Sequence, residues 1–458
     1  MKKNYHKYIL GCAIALGAST ATAQNTSTAY FLDGYTYGYQ MNPAKANDKG
    51  FVAFPGLGNV NVNVLTSFNL NDFIYNVDGK TTTFLNPGVS TEEFLSKVGD
   101  SNHIGLNLKL PVIAFGFNAF GGYNTVTLSA RADVGMKLPG SLFRLLKEGV
   151  SNDTYDIGAV KANAIGMAEV ALGHSRQITD DIRVGANLKV LLGAARANID
   201  IKHADLQLGE NEWKVVTEGE AELNLEGASF ELDRNETTGK QYISGVNTDG
   251  FSVPSGFGLG LDLGAEWTPS FLPDFKFSAA LLDLGFMSWS NTLLGSTEGQ
   301  HVFNTDDYTF NVDKDAPNSF DHEFDRIGDE ISALYELYDK GNQGSKTAGI
   351  GTSFNIGAEY TLPVYKALSV GVLNTTRLQQ DLTWTEFRAI ASWEPCKVFD
   401  AAVSFGAGTF GTDIGWIVNL HAPGINLFLG MDRIPTKLAK PAVPMNDASV
   451  NFGLNFLF

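Results

Sequence analysis

Hydrophobic and polar residues alternate with period two along much of this chain, over runs of about ten residues. That length crosses a bilayer as a tilted strand. In Val126-Thr127-Leu128-Ser129-Ala130-Arg131-Ala132-Asp133-Val134-Gly135-Met136-Lys137 every even position is apolar and every odd one is small, polar or charged. A strand sends those two sets to opposite faces. Ile182 to Val190 and Phe257 to Trp267 repeat the pattern. So do Ile350, Phe354, Ile356, Ala358 and Tyr360. The run Ala448, Val450, Phe452, Leu454, Phe456, Phe458 carries it to the C-terminus. Between runs, short turn signals fall at Gly121-Gly122, Thr179 to Asp181, Pro269 to Asp274, Leu362 to Lys366, Pro395 to Lys397 and Pro423-Gly424. Long segments separate them: Asn76 to Asn102, Leu138 to Thr154, Ala204 to Asp249 and Phe286 to Lys346.

Short turns alternating with long loops is the two-sided asymmetry of outer-membrane barrels. The pattern predicts an all-β fold, a closed antiparallel transmembrane β-barrel of about 14 strands, apolar outside. Tyr75, Tyr123, Tyr155, Trp267, Tyr360, Trp384, Trp393 and Trp416 fall near strand ends, where aromatic girdles belong. Two small extracellular helices are expected, at Ser141 to Glu148 and at about Phe320 to Lys340.

The chain opens with Lys2, Lys3 and Lys7, a short apolar run and Ala21-Thr22-Ala23, the form of a cleaved signal peptide over 1–23. Residues 24–50 then form an N-terminal hatch segment, and 51–458 the barrel. A lipoprotein reading at Cys12 leaves only four residues after Lys7, too few for an apolar leader core. Leader removal takes three lysines and no acids, moving the formal charge from -17 to -20. Such acidity repels nucleic-acid phosphates, so no nucleic acid is expected as a partner. Cys396 alone remains, and no intramolecular disulfide can form. The 49 glycines and 31 phenylalanines suit a barrel that alternates small and aromatic faces.

The lead-in Ala29-Tyr30-Phe31-Leu32-Asp33-Gly34-Tyr35-Thr36-Tyr37-Gly38-Tyr39-Gln40-Met41-Asn42-Pro43-Ala44 resembles that of an uncharacterised, domain-of-unknown-function family of outer-membrane barrels. More distantly, Asn42, Pro43 and Ala44 are similar to the Asn-Pro-Ala element of FadL-type barrels. That resemblance implies fourteen strands, a lumenal hatch and hydrophobic cargo. The long acidic loops depart from FadL-like sequences. A related branch, the PorV-like barrels, implies instead a non-transporting barrel that anchors or shuttles a protein. The terminal strand ending on Phe458 resembles the signal read by barrel-assembly machinery.

Pro111 marks a switch of phase. Ile104, Leu106, Leu108 and Leu110 are even, whereas Ile113, Phe115, Phe117 and Ala119 are odd. A one-residue switch needs a bulge, and proline, lacking a donor, fits one. It resembles the kink that opens a FadL-like wall sideways, with Asn42 expected to reach it. The inward phase carries Arg131, Asp133, Lys137, Glu169, Lys189, Asp262, Glu266, Glu359, Arg377, Glu386 and Arg388, a mixed-sign set that suits an ion-pair network. Ile165 and Met167 share that phase and suggest a greasy lumenal site for a hydrophobic ligand. Gly406 to Gly411 matches a dinucleotide fingerprint only formally, since strand patterns flank it. The acids between Asp306 and Asp329 lack EF-hand spacing, the histidines lack metal spacing, and no G-x-S-x-G elbow occurs. Neither a cofactor, a metal nor an enzymatic activity is expected. The expected function is passage of a small hydrophobic molecule across the outer membrane, with outer-membrane lipid as surroundings.

Overall fold

Alternating runs become strands, and each strand pairs antiparallel with the next. The computed structural model describes residues 26–68, 70–77, 80–148, 154–156, 158–208, 212–235, 239–297, 299–304, 336–379, 382–434, 438–439, 443–444 and 448–458. The wall starts with β1, in two pieces, Phe51–Ala53 and Val60–Thr66. There follow β2 (Ser101–Ala119), β3 (Gly122–Pro139), β4 (Val160–Gln177) and β5 (Ile182–Leu208). β6 is also in two pieces, Glu212–Asn224 and Gly256–Trp267. β7 is Phe275–Trp289, prolonged by Thr292–Ser296 and Gly299–Asn304. β8 comprises Tyr338–Asn342, Lys346–Gly349 and Thr352–Thr361. The rest are β9 (Leu368–Leu378), β10 (Trp384–Cys396), β11 (Phe399–Gly408), β12 (Gly411–Leu420), β13 (Ile425–Met431) and β14 (Ala448–Leu457). β14 pairs with both pieces of β1, so the sheet closes on itself as a 14-strand barrel. Closure satisfies the backbone groups without leaving an edge in lipid.

The outward set is apolar. Leu188, Phe257, Leu263, Ile356, Val372, Phe387, Val403, Ile414 and Phe456 are exposed on the barrel's outside, while polar neighbours such as Asn187, Asp262, Asn355 and Arg388 are buried within. Such a surface belongs in hydrocarbon. The six expected short turns all lie at one end, together with Phe51 and Phe458. At the other end the expected loops are partly wall. β5 continues through Ala204 to Leu208, β6 begins at Glu212, and β7 runs on to Asn304. Alternation in those segments is blurred by acids, because strands that rise beyond the bilayer can face water on both sides.

Other expectations are corrected. Ile350 is buried in the lumen, not outside, because Gly351 has a positive φ and resets the phase of β8. Tyr123 and Trp384 also point inward, at 2% and 8% exposure, and belong to no girdle; Trp267 and Trp393 are exposed outside. The helix expected at Ser141 spans Gly140–Glu148 (α2), and an unforeseen turn of helix, α1 (Thr91–Leu95), packs Phe94 near its Phe143. Most of the second expected helix falls on 305–335, outside the described residues, and Tyr338 to Lys340 are strand.

Candidate functional site

The lumen is filled in layers. The lowest, at the short-turn end, is the chain's own segment 26–50. Its sequence has neither helical nor strand period, and it folds as short 3-10 turns, Ser27–Ala29 and Gly38–Gln40. Nearly all of it is buried: Tyr30, Leu32, Tyr35, Tyr37 and Asn42 are at most 1% exposed. Its tyrosines bond neutral groups of the wall. Tyr37 Oη donates to Asn455 at 2.7 Å and Tyr35 Oη to Asn451 at 3.3 Å. Thr36 donates to Asn426 at 2.8 Å, and Asn419 donates to the Gly34 carbonyl at 2.9 Å. Tyr30 and Tyr39 meet Ser278 and Thr127 at 3.0 and 2.9 Å. Burial pushes both of these phenols up to about 12, so they stay neutral. At the segment's start, the Ser27 and Thr28 amides donate to Asp432 at 2.7 and 2.8 Å.

Asn42, Pro43 and Ala44 lie against β5 and β6. The Asn42 amide donates to the Ala265 carbonyl at 3.2 Å, and its oxygen accepts from Ala44 N. A β-carbon at Gly185 or Gly264 would overlap this tripeptide, so both positions need glycine for close backbone approach. Asn42 is therefore not at Pro111, which sits four strands away on β2.

At Pro111 the predicted phase switch is a register shift between Pro111 and Ile113 against β3. Val112 and Ile113 are both exposed, as two consecutive residues of a bulge can be. On its other side β2 pairs with β1 only as far as Lys109 above the kink and again from Phe115 below it. Between those points β1 leaves the ladder, and Phe54, Pro55 and Leu57 form an exposed apolar tongue beside the bulge.

Above the segment lies a band of charge that bridges the lumen. Arg131 on β3 contacts Asp133 at 2.9 Å, Glu169 at 3.4 Å and, across the lumen, Asp283 on β7 at 2.9 Å. Lys189 joins Asp262 and Asp283 at 2.7 and 2.6 Å, and Lys109 meets Glu169 at 2.7 Å. Arg377 on β9 approaches Asp133 at 3.6 Å. A second group ties Arg388 to Glu386 and Asp413 at 2.9 and 2.7 Å, with Arg433 on the same two acids. Glu266 and Glu359 lie nearer the short-turn end, 3.9 Å from Lys45 and 3.5 Å from Lys276. A cavity of about 90 Å³ remains between this band and Ser27, Gln40 and Met41.

Next comes an apolar layer. Ile165, Met167, Leu191, Met287, Trp289 and Ile350 cluster inside the barrel, all buried. The Trp289 indole N–H has no hydrogen-bond partner among the described residues. A vestibule of about 220 Å³ shares Ile165 with this layer and is faced by Arg196, Asn163 and Lys161 on one side and Gly349, Leu378 and Leu382 on the other.

The structure thus places the charged candidates other than Lys137 in two ion-pair groups and at the segment's edge, Lys137 half-buried near the long-loop end of β3 outside both groups, and Ile165 with Met167 in the apolar layer. Sequence reasoning missed Asp283, Lys109, Asp432 and Trp289. Asp283 had a signal: it interrupts Leu281-Leu282-Asp283-Leu284, and a charge inside an apolar run implies a bulge. Its φ of 58° lies in the left-handed region, which aspartate tolerates better than most residues. Its amide donates to Asp262 at 2.7 Å.

Several solved barrels share the general shape at low similarity. The Ralstonia pickettii toluene transporter TbuX is 10% identical, with 92% of each chain covered and a TM-score of 0.38. The Pseudomonas putida toluene transporter TodX is 8% identical over 95% of this chain and 94% of that one, with a TM-score of 0.39. A Pseudomonas aeruginosa FadL homologue is 11% identical over 96% and 99%, with a TM-score of 0.36. Likeness this weak says nothing of cargo. No curated protein matches the sequence. A family model does match, over residues 43–432, beginning at Pro43, the last residue but one of the lead-in. The chain belongs to this family of unknown function, DUF5723.

Proposed function

We propose that this protein is an outer-membrane barrel, exported with a cleaved leader, that passes a small hydrophobic molecule through a lumen held shut by its N-terminal hatch. The observation that carries this reading is the apolar layer around Met287 and Trp289, set inside an otherwise polar lumen and next to the vestibule. A hydrophobic solute arriving from the long-loop side gains burial there, and the unpartnered indole N–H can donate to a carbonyl or carboxylate. The hatch and the charge band block a straight path, so the exit runs sideways. The interrupted β1–β2 ladder at Pro111, beside the Phe54–Leu57 tongue, supports that route. Asn42, Pro43 and Ala44 hold the hatch against β5 and β6 and act on the exit only through it.

The rival reading is a non-transporting barrel that anchors or shuttles a protein partner. The ion pairs that cross the lumen favour it, since passage must go round them or break them. Uptake of a fluorescent fatty acid into cells separates the two. Met287→Gln and Pro111→Val should each reduce uptake several-fold at matched surface levels. Native uptake in both variants would sink the transport reading, and a protein retained by the purified barrel would then establish the rival.

A further inference from the structure

The lipid-facing wall of β7 to β12 has a groove on its short-turn half, about 710 Å³ in volume. Ala389 and Ala391 form part of its floor, with Phe277 and Tyr360 on one side and Phe405 and Ile414 on the other. Strand register explains the relief. Ala391 stands between Val370 and Val403, and Ala389 between Val372 and Phe405, so small outward residues are flanked by larger ones. The next outward residue of β10 toward the turn is Trp393, whose indole N–H donates to Tyr365 Oη at 3.2 Å. Aromatic pairs of that kind sit at the height of lipid headgroups.

Two lysines mark the same end. Lys366 lies in the turn between β8 and β9, and Lys397 in the turn between β10 and β11; both are exposed. The two turns flank the β9–β10 pair, so strand spacing sets them roughly 10 Å apart. Neither lysine has an ion-pair partner among the described residues, although the chain as a whole has a net charge of -17. An acidic protein that leaves two cations unpaired below an apolar groove is complementary to an amphiphile with an anionic head.

We propose that this groove is a binding site for one anionic phospholipid, with an acyl chain along Ala389 and Ala391 and the phosphate held between Lys366 and Lys397. The groove alone fits any acyl chain. The lysines supply selection by charge, and each cation near a membrane surface favours an anionic headgroup measurably. This site is independent of the lumen and of what passes through it.

Native mass spectrometry of the detergent-purified barrel tests it, with phosphatidylglycerol and phosphatidylethanolamine of identical chains offered in equal amounts. The native protein should retain one phosphatidylglycerol in about tenfold preference. Changing Lys366→Gln together with Lys397→Gln should remove the preference while heat-modifiable migration stays native. Ala391→Phe should displace both lipids. Inorganic phosphate, added as a competitor, should not release the lipid, because the groove holds the chain. Equal retention of the two lipids by the native protein overturns the proposal without any variant. So does a preference that survives the lysine changes, or a second copy of the chain found seated in the groove.

Discussion

Two parts of the lumen wall meet different tasks with different chemistry. On β12 to β14, asparagines face inward: Asn419, Asn426, Asn451 and Asn455 are each at most 1% exposed, and they bond the tyrosines, Thr36 and a carbonyl of the N-terminal segment. On β2 to β7 the inward residues are charged and bond mainly one another. A neutral hydrogen bond contributes about 1 kcal/mol net, so a handful can be exchanged one at a time. A buried ion pair that loses a partner leaves a charge stranded, at a cost of several kcal/mol. Charges therefore hold the wall mainly to itself, and the segment that rests in it is held mainly by amides and hydroxyls, with Asp432 and the Lys45–Glu266 and Lys276–Asp33 pairs at its margins. The physical lesson is that bonds to the segment can be lost singly at small cost, whereas the charges between strands cannot be parted without leaving one buried and unpaired.

The sharpest way to break this comparison is Arg131→Met. It takes one cation from three buried acids at once, leaving Asp133, Glu169 and Asp283 to Arg377, Lys109 and Lys189 alone, and should lower barrel stability by about 3 kcal/mol. The temperature at which heat-modifiable migration is lost would fall accordingly. A variant as stable as native would mean that the charge band is not what ties β3 to β7.

Tyr37→Phe probes the other side. Losing the 2.7 Å bond to Asn455 should cost about 1 kcal/mol. The barrel should melt as before, while openings in planar bilayers become about fivefold more frequent, the factor that 1 kcal/mol represents. A large loss of barrel stability would instead make the segment part of the permanent structure.

The smallest effect is expected at the short-turn rim. His421 Nε2 lies 3.1 Å from Asp400 Oδ2, and that carboxylate raises the histidine's pKa above its ordinary value. Glu394 adds to the rise, while partial burial and Lys49 oppose it. A raised folded pKa means that the pair's contribution is fully present below the ordinary histidine value, and is lost as pH rises through the raised one. Melting temperature should therefore drift down across that interval in native protein and stay flat in His421→Gln. The opposite drift would show that His421 is held neutral.

How much of this was legible beforehand depends on distance along the chain. Period-two alternation, turn residues and the terminal Phe458 fix the all-β class, the membrane-facing set and the count near fourteen, because each is a local property of a strand or turn. The bulge at Pro111 was legible for the same reason: a phase switch is visible within one strand. What Asn42 touches was not. Its place against Ala265 depends on how residues 26–50 lie in the lumen, and no residue in that stretch has a period to reveal it.

The sequence by itself thus determined that the chain makes a barrel, which face most strand residues show, and that charges stand on the inward face; Ile350, Tyr123 and Trp384 turned inward only in the folded wall. Tertiary structure alone decided which charges meet. Arg131 on β3 and Asp283 on β7 are 152 positions and four strands apart, brought within 2.9 Å only because the sheet curls and closes. Closure is a global constraint, set by the tilt and register of every strand together. Local pattern decides the face each residue shows, and only the closed circumference decides what lies across from it.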